Sequence, residues 1–183
     1  MLTSTLFIAA SACLAFLSRH CLRDWRSHGF YRFLAWECIL LLLLHNVPFW
    51  FEQRFAWYQL ISWLLLFLSI PLVVSGAVLL KRHGASDAQR SDPALLGFEK
   101  TAQLVTHGIY RHIRHPLYAS LLLLAWGLYF KQPLWWPGLL LATGATIALA
   151  VTALAEEREN LAYFGDDYAA YMQRSWRFLP GIY

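Results

Sequence analysis

The sequence has little charge and little cysteine, and it lacks a glycine-rich loop of the kind that cradles phosphates. Charged residues make up 14% of the 183 residues, about half the share of an average soluble domain, which excludes that class. Its three cysteines, Cys13, Cys21 and Cys38, have no C-x-x-C spacing, so neither a disulfide framework nor a zinc site is indicated. Without a phosphate fingerprint, a nicotinamide-binding reductase is disfavoured.

No Lys or Arg precedes the first apolar run, so that run lacks the basic flank of a signal peptide and is interpreted as a retained span. Hydrophobic residues reach 58% and the mean hydropathy is +0.43, which is typical of an integral membrane protein. We predict an all-α membrane fold with five transmembrane helices, because a span needs about 20 apolar residues. The five apolar segments are Leu2–Leu17, Phe33–Phe51, Gln59–Leu80, Leu117–Phe130 and Pro137–Ala155.

The basic residues are concentrated in every second loop between these segments. Loops on one side carry 13 of the 15 Lys and Arg residues, and Arg54 and Lys131 are the other two. By the positive-inside rule the N-terminus lies outside and the C-terminus in the cytoplasm, in a multi-pass protein expected in a bacterial inner membrane. We treat 1–183 as one domain, made of three spans (1–80), a connector (81–116), a hairpin (117–155) and a tail (156–183).

The polar chemistry of the chain is concentrated from Leu104 to Tyr118, directly before the fourth apolar segment. Pro116 is favoured at the first position of a helix, so a helix is predicted to begin there. Such a start exposes backbone N–H groups and the positive end of the helix dipole beside Arg114 and His115. The motif therefore has the features of an anion-binding site.

A short turn, 131–136, joins the fourth and fifth segments, which predicts an antiparallel helical hairpin. Equal rise from the turn brings 110–116 level with 152–157, so Glu156 and Glu157 should lie close to the motif. This arrangement suits a zwitterionic ligand, or alternatively an interfacial ion-pair network. Beyond it, Gly165 is predicted to end the helix, and an aromatic, basic C-terminal helix is expected at the membrane interface, docked under the bundle.

Several of these residues together resemble one superfamily. The chain is similar to the isoprenylcysteine carboxyl methyltransferase and phospholipid methyltransferase superfamily of membrane enzymes over about residues 101–180. The resemblance rests on Val105-Thr106-His107-Gly108-Ile109-Tyr110, Arg114-His115-Pro116-Leu117-Tyr118, Glu156-Glu157, Leu161, Phe164-Gly165, Tyr168, Tyr171 and Pro180.

The resemblance implies S-adenosylmethionine as cofactor, with S-adenosylhomocysteine as product, and a lipidic or small apolar acceptor that enters from the bilayer. Catalytic roles would fall to Arg114, His115 and Glu157, and no metal or nucleic acid is expected. The implied cofactor-binding residues are Gln103, Leu104, Val105, Tyr110, His115, Pro116, Leu117, Tyr118 and Glu156.

Two departures bear on the acceptor. Many members have Gly where this chain has Ser120, and eukaryotic isoprenylcysteine enzymes carry an Arg where it has Thr152. Isoprenylcysteine-like carboxylate methylation is favoured, with Arg174 or Thr152 on the acceptor side. Phospholipid, amine or thiol methylation is the alternative; an amine acceptor would need a base, for which His107, His112 and Glu157 are candidates. A non-enzymatic partner- or haem-binding protein on the same fold is the rival of another class.

Overall fold

The structure is a bundle of α-helices. The computed structural model describes residues 2–84 and 102–181, and within them it has six α-helices and three short 3₁₀ turns. Residues 85–101 of the connector, which the sequence interprets as either a lid or a linker, lie outside the described residues. The α-helices are α1 (Leu2–Leu17), α2 (His28–Asn46), α3 (Trp57–His83), α4 (Pro116–Tyr129), α5 (Trp136–Phe164) and α6 (Asp166–Met172).

Three helical segments are long and apolar enough to cross a membrane. They are His28–Phe49, Trp57–His83 and Trp136–Phe164, with mean hydropathies of 1.4, 2.4 and 2.0. The helices α1 and α4 have 16 and 14 residues. At a rise of 1.5 Å per residue they are about 24 and about 21 Å long, short of a hydrocarbon core of about 30 Å. The all-helical fold is thus confirmed, and three of the five predicted spans have the length and composition of a membrane-crossing helix.

The fifth helix continues well past its apolar part. It runs to Phe164, whereas the apolar segment ends at Ala155. Its end coincides with Gly165, whose φ of 58° is a left-handed conformation that favours glycine. The predicted helix end at Gly165 is confirmed, and the polar residues from Glu156 onward are held on the same rigid helix as the apolar span.

Small residues let the helices approach each other closely. Helices α2 and α5 pack along their lengths, as do α3 and α4, and α4 and α5 form the predicted hairpin. A Cβ added to Gly127 of α4 would lie 2.9 Å from the Leu66 side chain of α3.

Two buried clusters form the core: Ile39, Leu42, Leu66, Ala125, Leu128, Ala142 and Ala145 in one, and Ala35, Tyr118, Ala148, Leu149 and Ala153 in the other.

A lysine closes the end of the bundle where α4 turns into α5. Lys131 is 1% exposed, and its Nζ donates to Gln59 Oε1 at 3.0 Å and lies 3.7 Å from the Trp63 ring centroid. Burial lowers the pKa of its ammonium to about 8. The contacts tie the turn to α3 and to the loop after α2, because the Trp50 carbonyl also accepts from Nζ.

Replacing Lys131 with methionine is expected to destabilise the protein by about 1–2 kcal/mol. The variant loses a cation–π contact and leaves Gln59 Oε1 without its buried donor, and relief of the lysine's desolvation offsets part of that loss. Thermal unfolding in detergent micelles measures the change. Arg54→Met, at the same end of the bundle but exposed, is the matched control. Equal stability of the two variants would contradict a structural role for Lys131.

Candidate functional site

The motif before α4 forms the helix start that the sequence predicts. Helix α4 begins at Pro116, with His115 as its N-cap residue in a non-helical conformation. The His115 and Tyr118 rings stack with centroids 5.4 Å apart. Because Pro116 sets its own φ and needs no N–H partner, the chain can turn sharply into the helix here and expose the N–H groups that follow.

Helix α3 supports this start from one side. A Cβ on Gly76 would lie 3.1 Å from Pro116 Cγ and 3.2 Å from Leu117 Cδ2, so only glycine fits without displacing the neighbouring side chains. The Tyr110 hydroxyl donates to the Gly76 carbonyl at 3.4 Å. Together, these two contacts hold Tyr110 and Pro116 against the same turn of α3.

The C-terminal tail supports the motif from the other side. Ile113 and Trp176 form a parallel β-bridge. Its backbone bonds run from Arg114 N–H to the Trp176 carbonyl at 2.7 Å and from His115 N–H to the Arg177 carbonyl at 3.1 Å. The Tyr171 hydroxyl also donates to the Tyr110 carbonyl at 2.7 Å. The prediction that the tail docks under the bundle is confirmed.

Glu157 lies in a buried ion-pair cluster at this junction. Its carboxylate accepts from Arg114 Nε at 2.9 Å, Arg177 Nη2 at 2.8 Å and His115 Nε2 at 3.3 Å. The Arg114 Nη1 atom also donates to the carbonyls of Met172 and Ser175. Because Glu157 and Arg177 are 3% and 7% exposed, the charges stabilise each other, and loss of one partner would leave the others unpaired.

Next to the cluster, α3, the motif, α5 and α6 border a cleft. Glu156 reaches it from α5, accepts a hydrogen bond from Tyr118 and lies 3.8 Å from His115 Nδ1. The cleft is lined by Leu80, Leu104, Val105, Tyr110, Arg114, His115, Pro116, Leu117, Tyr118, Glu156, Asn160, Phe164, Tyr168 and Tyr171.

The cleft combines basic, acidic and aromatic groups. His115 lies at the start of α4, Glu156 lies across from it on α5, and rings form much of the remaining wall. Burial raises the pKa of the Tyr168 and Tyr171 hydroxyls above the usual range of tyrosine, so both stay protonated at neutral pH. Such a cleft offers separate places for an anionic group, a cationic group and a flat ring.

The sequence prediction and this lining overlap in nine residues: Leu104, Val105, Tyr110, Arg114, His115, Pro116, Leu117, Tyr118 and Glu156. Four other predicted site residues lie outside the lining. Glu157 is in the ion-pair cluster, Gln103 donates its backbone N–H to the Gly84 carbonyl, and the buried Thr152 hydroxyl donates to the Ala148 carbonyl at 2.7 Å. Arg174 is exposed on the tail.

Five lining residues were not assigned to the site from the sequence: Leu80, Asn160, Phe164, Tyr168 and Tyr171. A usable signal existed for two of them. Asn160 and Phe164 lie four and eight residues after Glu156 and therefore share its helix face, on a helix that was predicted to run to Gly165. No group of three or more metal-ligating side chains occurs within the described ranges 2–84 and 102–181.

Known proteins are similar in sequence to this part of the chain. A family model described as phospholipid methyltransferase matches residues 57–166, which is more than half of the chain and runs from the start of α3 to the start of α6. A stretch of 88 residues is 34% identical to Methanethiol S-methyltransferase 1 of Bradyrhizobium diazoefficiens. That stretch covers 47% of this chain and 30% of the relative's length. No solved structure matches the chain. By the extent of the family match, the chain belongs to the phospholipid methyltransferase family.

Proposed function

We propose that this protein is a membrane methyltransferase that uses S-adenosylmethionine and methylates a small or lipidic acceptor. The observation that carries the proposal is the cleft in which the α4 start with His115 faces Glu156 of α5. Both sides of the cleft fall within the matched residues 57–166. A methyl donor that is an amino acid at one end and a nucleoside at the other needs such a divided site.

The residues present fit this cofactor. The N–H groups at the α4 start and His115 would bind the methionyl carboxylate, and Glu156 would bind the ammonium group or the ribose hydroxyls. Tyr110, Phe164 and Tyr168 supply flat faces for the adenine ring and for the sulfonium charge.

When bound, the cofactor supplies an activated methyl group for an in-line displacement. The contribution of the chain is to orient the reactants and to exclude water, which together supply most of the acceleration in such reactions. The buried Tyr168 and Tyr171 close the cleft against solvent. Arg114 and Glu157, assigned to catalysis from the sequence, would act by holding His115 and the tail in place.

A thiol is the acceptor class that we favour. A carboxylate acceptor would need a cation near Thr152, and that hydroxyl is buried and bonded to its own helix. The matched relative is named for methylation of a thiol. Isoprenylcysteine-like carboxylates and phospholipid amines are the alternatives.

In the membrane we propose five spans, with α1 and α4 in locally thin or protein-lined regions. The N-terminus would lie outside, and the cleft and the C-terminus on the cytoplasmic side of a bacterial inner membrane. The distribution of basic residues supports this orientation, because Arg114, Arg158 and Arg177 share an end of the bundle opposite Lys131. The cofactor would then enter from the cytoplasm.

Titration calorimetry with S-adenosylhomocysteine tests the proposal on the full chain in detergent. We expect binding, and at least a tenfold loss of affinity in His115→Ala and in Glu156→Ala, equal to about 1.4 kcal/mol each. Arg158→Ala, exposed beside the glutamates, should bind like the unmodified chain. Absence of binding would exclude the proposed function, and binding untouched by either variant would exclude this cleft as its site.

A further inference from the structure

A row of three different side chains lies along the cleft side of α5. Asn160 is one helical turn after Glu156 and one turn before Phe164, and all three residues line the cleft. At a rise of 1.5 Å per residue the row is about 12 Å long. It presents a carboxylate, a carboxamide and an aromatic ring in succession on one face of a rigid helix.

Contact with solvent does not account for an amide at the middle position. The outer face of the same turn carries Leu161 and Tyr163, whose exposed fractions are 37% and 45%, whereas Asn160 is half-buried on the inner face. Moving an amide out of water costs free energy unless it gains hydrogen-bond partners. The position of Asn160 therefore suits contact with a ligand that offers such partners.

Helix α6 orients the Asn160 side chain. Its carboxamide shares a hydrogen bond with the Tyr168 hydroxyl, and Tyr168 is only 3% exposed. The Tyr168 ring also lies nearly parallel to the Phe164 ring, with an interplanar angle of 21°. A carboxamide has one acceptor oxygen and two N–H donors, so a bond to one hydroxyl orients it and is compatible with a paired contact to a ligand.

The other polar groups of the cleft are less suited to a neutral, planar ligand group. Arg114 donates to Glu157 at 2.9 Å, and His115 lies beside both Glu156 and Glu157. Among the described residues that line the cleft, Asn160 alone carries an acceptor and a donor side by side on one planar group.

This pair of groups matches the edge of adenine. Adenine presents an amino N–H donor next to a ring-nitrogen acceptor, and the asparagine carboxamide complements both at once. Such a paired contact discriminates against the wrong base by about tenfold or more. Glu156 on one side of Asn160 suits the ribose hydroxyls, and Phe164 on the other side supplies a face for the base.

We propose that Asn160 recognises the amino group of adenine and makes the cleft selective for adenine nucleosides. The inference rests on the proposed function and names the residue that selects the base of the cofactor. Asn160 contacts the base, and Tyr168 is a positioning residue that holds the carboxamide. Because the base takes no part in the methyl transfer, the contribution of Asn160 is to affinity and selectivity.

Titration calorimetry on the full chain in detergent tests the pairing with two ligands. One is S-adenosylhomocysteine, and the other is its analogue in which hydrogen replaces the adenine amino group. The unmodified chain should bind the analogue about tenfold more weakly, because the Asn160 oxygen loses its donor. Asn160→Leu, a variant of similar size, should bind both ligands weakly and with affinities within about twofold of each other.

Two further variants separate recognition from folding. Tyr168→Phe keeps the ring and removes the hydroxyl that orients the amide, so the preference for the amino group should fall to about threefold. Arg158→Ala, exposed on the same helix, should keep the full preference. If Asn160 only tied α6 to α5, Asn160→Leu would weaken both ligands equally and leave the tenfold preference in place.

The outcomes separate this inference from the proposed function. Equal binding of the two ligands by the unmodified chain, or an unchanged preference in Asn160→Leu, would overturn the role of Asn160 alone. If Asn160→Leu does not fold, Asn160→Ala and Tyr168→Phe take its place, and a full preference in both would overturn it. Absence of S-adenosylhomocysteine binding to the unmodified chain would reject the proposed function as well.

Discussion

Replacing Glu157 with alanine is expected to lower the free energy of unfolding by about 3–5 kcal/mol. The variant leaves the Arg114 and Arg177 guanidinium groups, now partners of one carboxylate, next to each other in a buried site. In a chain of this size the loss corresponds to about 6–20 °C in Tm. Thermal unfolding in detergent micelles measures it, with Arg158→Ala as the control on the same helix.

The same variant should release the tail. Arg177 is buried while Arg174, three residues earlier, is exposed. In the unmodified protein trypsin should therefore cut after Arg174 and spare Arg177, and in Glu157→Ala it should cut after both. An unfolding temperature within about 1 °C of the control, with Arg177 still protected, would show that the cluster does not hold the tail.

Replacing Gly76 with valine is expected to lower the rate of methyl transfer on the order of 100-fold, the effect of misplacing a binding group by about 1 Å. Even a Cβ at this position lies 3.1 Å from Pro116 Cγ, and the valine methyl groups extend further into the α4 start. Helix propensity alone predicts that replacing this glycine stabilises the helix, because glycine inside a helix is unfavourable by up to about 1 kcal/mol. The rate and the affinity for S-adenosylhomocysteine should fall together.

The matched control compares two glycine-to-alanine variants, Gly144→Ala and Gly76→Ala. At Gly144 of α5 the new Cβ would lie 3.6 Å from Cys38 Sγ, an ordinary contact, whereas at Gly76 it would lie 3.1 Å from Pro116. Gly144→Ala should keep full binding and gain slightly in stability, and Gly76→Ala should lose affinity. Normal binding in Gly76→Val would mean that the α4 start does not depend on α3 for its position.

Local sequence signals and residue counting along the helical hairpin were enough to predict the central residues of the candidate site. Pro116 predicted the helix start, and counting residues back from the turn at 131–136 predicted that the motif would meet Glu156 and Glu157. Both were confirmed, because each follows from helix geometry within one hairpin. Each of the two alternatives predicted for the glutamates applies to one of them. Glu157 lies in an ion-pair network, and Glu156 lines the cleft.

Residues contributed by other helices could not be predicted in this way. Nothing in the local sequence of Gly76 indicates which residue lies opposite, since helix pairing is decided by packing over the whole bundle. Asn160 and Phe164 were missed for a different reason. The fifth helix was predicted to run to Gly165, but of its polar extension only Glu156 and Glu157 were assigned to the site.

The β-bridge between Ile113 and Trp176 also sets an order of assembly during synthesis. The motif leaves the ribosome before α4 and α5, and the tail segment that completes it leaves only after both helices have been made. The hairpin can therefore form while the motif is still open, and docking of the tail is the closing step. A chain interrupted before Trp176 would carry every motif residue from Leu104 to Glu157 and still lack the backbone partners that shape the site.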